Sequence, residues 1–367
     1  MSLFLLLFIS SSRSYAQETE NIFDYWVDEF NLAYELYEKE DFSTAITHFT
    51  HALKVIDQID FSTNDETLYY PINNQNYLGV CYFNIEKYEE AAAHFEGTLK
   101  QLNTLEEIDN TYYNQILENL VNSYVKFDLE KSIEVRIKII EGIKTKDANY
   151  AKQLFSLAFN YKHFNNETKF YETLIEVEQL LSENNETNGD YYAYTSYYLG
   201  LYYFEIKNYK KASPMLKAAL RLKNLIKNDN DIEMFLVSSS YGLSQYNLND
   251  FKNAMLHLEN ALNEEAYNTK DLLEFNTVMA NLLSICYGRV GEHDLSLKMI
   301  KRMLETAVTH TSKKGALYDR ALLYAGTYYI NESKHDEAFT YLKEAQNNCI
   351  SRNELNTRLY SALLSKL

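Results

Sequence analysis

One pattern of residues recurs along this chain, and its period constrains the fold more than any other feature. The segments Tyr77–Ala91 (YLGVCYFNIEKYEEA) and Tyr198–Ala212 (YLGLYYFEIKNYKKA) carry large apolar, glycine, aromatic and alanine residues in the same order. Gly200 and Gly242 lie 42 residues apart, and the same interval separates Gly242 from Ser284. A fixed period of about 20 to 50 residues is typical of a repeat array, in which each unit buries its apolar face against its neighbours.

Two small residues mark each repeat, and they are twelve residues apart. We call them the first and the second small position, although larger residues occupy them in two degenerate copies. The first small positions are Ala33, Gly79, Val121, Ala158, Gly200, Gly242, Ser284 and Gly326. The second small positions are Ala45, Ala91, Ile133, Phe170, Ala212, Ala254, Ser296 and Ala338. The pattern predicts about eight repeats.

Composition indicates which secondary structure the repeats form. Only 10 Gly and 2 Pro occur in 367 residues, which leaves too few turn-forming residues for an all-β chain. Apolar residues follow the second small position at helical spacing, as Phe95 and Leu99 do. A small residue on one helix also lets a second helix approach closely. The sequence therefore predicts an all-α fold, an α-solenoid of stacked antiparallel helix hairpins, with a C-terminal capping helix in residues 358–367.

The repeat resembles that of the tetratricopeptide repeat (TPR) family. That family's Leu-Gly-x-x-Tyr segment, later alanine and following large apolar residue are matched by Leu78, Gly79, Tyr82, Ala91 and Phe95. The period of 42 exceeds the usual TPR period of about 34, as in the long-period repeats of kinesin light chains and Rap-type peptide receptors. HEAT-type repeats have a similar period, but the Leu-Gly-x-x-Tyr register favours the TPR type. The resemblance implies a right-handed superhelix that binds a protein or peptide.

The N-terminus has features of a secretory leader. Residues 3–9 form the apolar run LFLLLFI, and Ser14 and Ala16 fit the small-x-small rule for a cleavage site. No Lys or Arg precedes the apolar run, which departs from the usual pattern. We expect residues 1–16 to be a signal peptide and residues 17–367 to be one TPR-like repeat domain. The mature protein would then be secreted or periplasmic, and cytoplasmic if the leader does not function.

Charge and cysteine content argue against several functions. The net charge is −17, and the 35 Lys and Arg residues form no long basic run. Binding of phosphates requires clustered basic residues, so nucleic acid is not an expected partner. The apolar run at the N-terminus is too short to span a bilayer, so we expect no direct membrane insertion once the leader is removed. Three widely spaced cysteines form neither a disulfide framework nor a zinc motif.

The sequence contains no recognisable motif for catalysis, a cofactor or a metal. It has no G-x-S-x-G, Walker-type, HExxH or CxxC segment. His48 and His51 have helical spacing that suits two metal ligands, but no third ligand accompanies them in sequence. Cys81 and Cys286 each lie two residues after a first small position, which indicates a role in packing. We predict that the protein is not an enzyme and holds no cofactor or metal.

The resemblance also implies where a partner binds. In the TPR family, the inner groove is formed by the first helix of each repeat, near the first small position. The residues of this sequence that match the family's groove positions are Asn76, Asn84, Asn122, Phe155, Phe159, Tyr194, Tyr197 and Asn281. Asparagine amides can donate and accept hydrogen bonds along any peptide backbone, and aromatic rings offer large contact areas. Asn76 and Glu118 stand where a lysine would be needed to clamp a terminal carboxylate, which argues against that binding mode.

Three functional hypotheses follow from these observations. The leading one is a non-enzymatic scaffold, secreted or periplasmic, that binds a protein or peptide segment in the concave groove. The first alternative is an intracellular Rap-like receptor that senses a peptide. The second alternative is the sensor portion of a longer membrane-linked regulator.

Overall fold

The computed structural model of the protein describes most of the chain beyond the predicted leader. The described residues are 22–56, 65–105, 108–226, 231–263, 273–310, 315–355 and 357–366. They are predominantly α-helical, and no β-strand occurs among them. The predicted signal peptide, residues 1–16, lies outside the described residues. The all-α fold class expected from composition and period is confirmed.

The chain forms two compact units that divide between Leu180 and Leu181. The first unit contains α1 (22–38), α2 (Phe42–Ile56), α3 (Asp65–Asn84), α4 (Tyr88–Leu102), α5 (Asn110–Phe127), α6 (Leu129–Gly142), α7 (Ala148–His163) and most of α8 (Glu167–Glu183). The second unit contains α9 (Asp190–Glu205), α10 (Tyr209–Arg221), α11 (Asp231–Asn247), α12 (Phe251–Asn263), α13 (Leu273–Val290), α14 (His293–His310), α15 (Ala316–Asn331), α16 (His335–Ser351) and α17 (Arg358–Leu364). The assignment of residues 17–367 to one repeat domain stays a prediction.

Each odd-numbered helix from α1 to α15 contacts the following helix, so the described residues form eight hairpins, as predicted. Phe30 on α1 packs edge-to-face on Phe49 of α2, with ring centroids 5.5 Å apart. Within each unit a hairpin also packs on the next one, as α4 does on α5 and α12 on α13. The first helices of neighbouring hairpins contact each other as well, in the pairs α3–α5, α9–α11, α11–α13 and α13–α15. The first helices α9, α11, α13 and α15 therefore form a continuous face in the second unit, and α3 and α5 are adjacent in the first.

Glycine at the first small position lets the two helices of a hairpin approach closely. A Cβ atom added to Gly200 would lie 2.8 Å from Cδ2 of Leu216, and one added to Gly242 would lie 2.9 Å from Cδ2 of Leu258. The same test at Gly79 meets the ring of Phe95. In each hairpin the large apolar partner follows sixteen residues after the glycine and is buried. The predicted role of the small residue is confirmed.

Most hairpin loops share one backbone conformation that their side chains do not reveal. Seven residues after the first small position, φ is positive in all but one of the eight repeats. The residues in this conformation are Glu40, Glu86, Asn165, Lys207, Asn249, Gly291 and Ser333. The N–H of the next residue then reaches back to the first helix: Lys87 donates to the carbonyl of Tyr82 at 3.0 Å. This bond is the Schellman ending of a helix, for which glycine is the usual residue.

The third repeat departs from this pattern, and it corrects one prediction. A single residue, Asp128, separates α5 from α6, and its φ is −140°, so the left-handed loop residue is missing. Each position of α6 is therefore reached one residue earlier in the sequence than the repeat spacing predicts. Ser132 is fully buried where the second small position was expected at Ile133, which is half-buried. The prediction of Ile133 was wrong because sequence spacing alone could not register the shorter loop.

The shift also places an arginine in the core. Arg136 is 5% exposed and occupies the site that a large apolar residue fills in hairpins such as α3–α4. Its guanidinium donates to Glu118 at 2.5 Å and to Gln153 at 2.7 Å. Gln153 in turn donates to the other carboxylate oxygen of Glu118 at 2.7 Å. Because each charge has a hydrogen-bonded partner, the cost of burying the arginine is offset.

The last helix, α17, packs against the end of the second unit. Leu359 and Tyr360 lie against the apolar core formed by α11 to α16. The hydroxyl of Thr357 accepts a hydrogen bond from the backbone N–H of Tyr360 at 3.1 Å, which fixes the start of the helix. The helix therefore covers apolar surface that the last hairpin would otherwise expose.

Candidate functional site

The residues predicted to bind a partner fall on one side of the first helices. Counted from the first small position of its repeat, each lies six or three residues before it, or one or five residues after it. Residues three or four positions apart are neighbours on an α-helix, so these positions share a side. We call this side of the first helices the inner face of a unit.

Asparagines dominate the inner face of the first unit. Asn76 on α3 is 8% exposed, and its side-chain oxygen has no hydrogen-bond partner among the described residues. Asn84, at the end of the same helix, is exposed and donates to the carbonyl of Val80 at 2.8 Å. Asn122 on α5 is exposed. The first unit thus presents amide groups on two neighbouring helices, one of them with an unused buried acceptor.

A small recess lies between α3, α4 and α5. Its volume is about 50 Å3, and Val80, Phe83 and Phe95 form its apolar part. Asn119 and Asn122 supply the polar part. A water molecule occupies about 30 Å3 in the liquid, so the recess has room for a small group of a few heavy atoms. An apolar floor beside amide groups can accept a small side chain and bind the adjacent backbone.

The aromatic residues predicted on α7 form a half-buried pair. The rings of Phe155 and Phe159 have centroids 4.8 Å apart and an interplanar angle of 41°. Phe159 also meets Phe170 of α8 edge-to-face at 5.7 Å, and the ammonium group of Lys162 lies 5.6 Å from the Phe159 ring centroid. The pair therefore contributes to hairpin packing and leaves part of its surface on the inner face.

The predicted residues of the second unit differ in exposure. Tyr194 on α9 is half-buried, whereas Tyr197 is 8% exposed and packs edge-to-face on Tyr198 with centroids 4.9 Å apart. Asn281 on α13 is half-buried and lines a larger cleft. The role of these three residues in binding stays a prediction, with Asn281 the most accessible to a ligand in that cleft.

This cleft has a volume of about 660 Å3 and lies wholly within the second unit. Its walls come from the first helices α11, α13 and α15, from the start of α14, and from the end of α17. Tyr246, Ile285, Leu323 and Tyr324 provide its apolar surface. The volume is within the range of about 300 to 1,000 Å3 that is usual for ligand pockets.

Two of the titratable groups that line the cleft face each other, and two have no partner among the described residues. His293 Nδ1 and Glu332 Oε1 are 3.1 Å apart at one edge. Arg289 and Lys366 are exposed, and neither side chain has a hydrogen bond or ion pair within the described part of the chain. Burial raises the pKa of Tyr324 above its ordinary value, which indicates apolar surroundings for this phenol. The cleft therefore offers two unpaired cations beside a neutral apolar wall.

Sequence reasoning did not select Arg289 or Lys366. Arg289 lies five residues after the first small position Ser284, as Asn84 does after Gly79. The repeat register could therefore have placed Arg289 on the inner face. Lys366 follows the capping helix and belongs to no repeat, so only the fold brings it to the cleft.

Histidine and cysteine side chains are the natural candidates for a metal site in the described residues. No group of three or more His, Cys, Asp or Glu suited to a metal ion occurs there. His48 Nδ1 lies 2.8 Å from Glu29 Oε2, which pairs the first of the two spaced histidines with a carboxylate. Cys81, Cys286 and Cys349 are free and buried. None of the described helices has both the length and the apolar character that crossing a membrane requires.

Comparison with known proteins concerns the repeat architecture. The sequence matches no model of a known protein family and no curated protein. Among solved structures, BtubC from P. vanneervenii is 15% identical, with a TM-score of 0.41 over 60% of this chain and 89% of that chain. A tetratricopeptide repeat protein from Parabacteroides merdae is 12% identical, with a TM-score of 0.38 over 80% of this chain and 98% of that chain. The apo form of the quorum sensor NprR from B. thuringiensis is 13% identical, with a TM-score of 0.36 over 93% and 94%.

The architecture of the chain is TPR-like. Outside the third repeat, the hairpins carry a small residue at the first small position and a buried large apolar residue sixteen positions later. First helices also contact neighbouring first helices, as α9 contacts α11. These are features of the hairpins themselves, in each of the two units.

Proposed function

We propose that the protein is a non-enzymatic scaffold that binds a segment of a protein or peptide on its inner face. The observation that carries this proposal is the recess between α3, α4 and α5, in which the amide groups of Asn119 and Asn122 lie beside an apolar floor. An amide group can donate and accept hydrogen bonds, so it can bind the backbone of a segment whatever its side chains.

The chemistry of the recess matches that of an extended segment. An extended segment alternates side chains and backbone amides, and the recess pairs an apolar floor with amide groups. The half-buried rings of Phe155 and Phe159 extend the apolar surface along α7. The net charge of −17 favours a protein partner over nucleic acid.

A random heptapeptide library panned on the purified protein tests the proposal. We expect the enriched peptides to bind about tenfold more weakly to an Asn119→Ala/Asn122→Ala variant, because two hydrogen bonds of about 0.5–1.5 kcal/mol each are lost. Fluorescence polarisation of a labelled enriched peptide measures the change. Asn347→Ala is the matched control, since Asn347 is an exposed asparagine on the second helix α16. Enrichment no greater than on a blank surface would contradict the proposal.

We further propose that the mature protein is secreted or periplasmic and begins at Gln17. The proposal rests on the apolar run at residues 3–9 and the small residues Ser14 and Ala16. Mass spectrometry of the N-terminal peptide from the native source is the test. A start at Gln17 supports secretion, whereas an intact Met1 favours the intracellular peptide receptor.

A further inference from the structure

We propose that the cleft of the second unit binds a short acidic peptide segment, in which a carboxylate pairs with Arg289 beside an apolar or aromatic side chain. The inference rests on the proposed scaffold function, because it names the class of segment that one part of the inner face accepts. It concerns only the second unit and uses none of the asparagines of the first.

Charge is the first argument. The chain carries a net charge of −17, yet the two fully charged side chains in this cleft that have no partner in the described residues, Arg289 and Lys366, are cations. The lining carboxylate, Glu332, faces His293 at 3.1 Å. A concave site with low-dielectric walls strengthens the field of such cations and attracts anions. The local charge therefore favours an acidic ligand although the protein as a whole is acidic.

The chemistry of the cation points to a carboxylate. A guanidinium group presents a planar pair of donors that matches the two oxygens of a carboxylate, and such bonds are about twice as strong as those between neutral groups. Arg289 belongs to the last turn of α13 and lines the cleft. Lys366 adds a second positive charge from the segment after α17.

The other residues that line the cleft indicate a ligand larger than a small anion. Ile285, Leu323 and Tyr324 form an apolar surface of the cleft that Arg289 also lines. The half-buried amide of Asn281 can bind a peptide backbone. A volume of about 660 Å3 holds a few residues in an extended form and excludes a folded domain. An acidic residue next to an apolar one satisfies all of these groups together.

The test uses the full chain, its Arg289→Gln variant and a Lys298→Gln control. Lys298 is an exposed lysine on α14 outside the cleft lining, so both variants lose one positive charge. Each protein is panned against the same random heptapeptide library. We expect the full chain to enrich Asp or Glu next to Phe, Leu, Ile or Tyr, and this preference to disappear in Arg289→Gln and persist in Lys298→Gln.

Affinity measurements then assign the contact. A labelled enriched peptide that carries the acidic and apolar pair is expected to bind Arg289→Gln at least tenfold more weakly and Lys298→Gln within twofold of the unaltered protein. Replacing the acidic residue of the peptide by its amide should weaken binding to the unaltered protein tenfold and leave binding to Arg289→Gln unchanged. Arg289 is exposed, so circular dichroism should show the same thermal midpoint for all three proteins.

Several results would overturn the inference. Enriched peptides without an acidic preference, a basic preference, or equal affinity for Arg289→Gln would each do so. A dimer in sedimentation that Arg289→Gln dissociates would show that a second copy of the chain occupies the cleft. If enriched peptides respond to Asn119→Ala/Asn122→Ala but not to Arg289→Gln, the scaffold function stands and this inference fails. If no peptide is enriched, both fail.

Discussion

Replacing Gly326 with alanine tests the close helix contact on which each hairpin depends. The added Cβ would lie 2.5 Å from Cγ and 2.6 Å from Cδ2 of Leu342, and 3.3 Å from the carbonyl oxygen of Ala338. Leu342 is 1% exposed, so its side chain has little free space into which it can move. The atoms in conflict include a branching carbon and a backbone oxygen, so rotation of a flexible side-chain end cannot relieve the contact. The two helices must move apart.

The expected loss of stability follows from two opposing terms. Overpacking a core typically costs about 1–3 kcal/mol, and two side-chain carbons within 2.6 Å favour the upper end. Alanine gains about 1 kcal/mol over glycine within a helix, and Gly326 lies inside α15. We therefore expect Gly326→Ala to lower the free energy of unfolding by about 2 kcal/mol.

Urea unfolding followed by far-ultraviolet circular dichroism measures this change. Gly288→Ala is the control, because its added Cβ would meet only Ser296 Oγ at 3.9 Å, an ordinary contact, and it should be neutral or slightly stabilising. Combining Gly326→Ala with Leu342→Ala should cost at least 1 kcal/mol less than the sum of the two single changes, since the truncated leucine makes room for the new methyl group. A Gly326→Ala protein as stable as Gly288→Ala, or strictly additive effects, would refute the reasoning.

Three further predictions concern titratable groups. Burial raises the pKa of the Cys81 and Cys286 thiols to about 12, so a thiol reagent at pH 8 should react slowly with the folded protein and rapidly in urea. Burial lowers the pKa of His94, so folding favours its neutral form, and the stability of the protein should fall as the pH drops below about 6.5. Thermal midpoints should show a smaller fall for His94→Gln. Hydrogen bonds, chiefly from Thr145, lower the pKa of Asp147, so the ionised carboxylate stabilises the fold above about pH 4 and this contribution is lost in stronger acid. In an acid titration of stability, Asp147→Asn should show a smaller loss.

The fold could be predicted because the packing of each hairpin depends on residue size at fixed intervals. Gly200 and Leu216 must be small and large, respectively, for the helices to cross at close range, and Gly242 and Leu258 repeat the requirement 42 residues later. Such a restriction is visible in sequence as a period. The loop conformation was not visible in the same way, because residues as different as Glu86 and Gly291 adopt positive φ.

The third repeat shows where this reasoning fails. A loop shortened by one residue at Asp128 changes the register of α6 without leaving a break in the apolar pattern, so Ile133 was expected where Ser132 is buried. The buried Arg136 could not be anticipated either, because its position resembles a surface site until the register is corrected. Its partners Glu118 and Gln153 come from the preceding and the following first helix, and only the fold brings them together.

The residues that determine the fold and those expected to determine binding differ in how strongly packing restricts them. At the first small position all repeats but the third, which has Val121, carry Ala, Gly or Ser. A larger residue there would separate the helices. Five residues later, side chains have no packing requirement in common: Asn84 and Asn247 each donate to the carbonyl four residues back, whereas Arg289 extends without a partner in the described residues. A position that is free to vary without loss of stability is where differences between repeats can serve a ligand. Arg289 therefore carries information about the partner that the positions by which the fold was predicted do not.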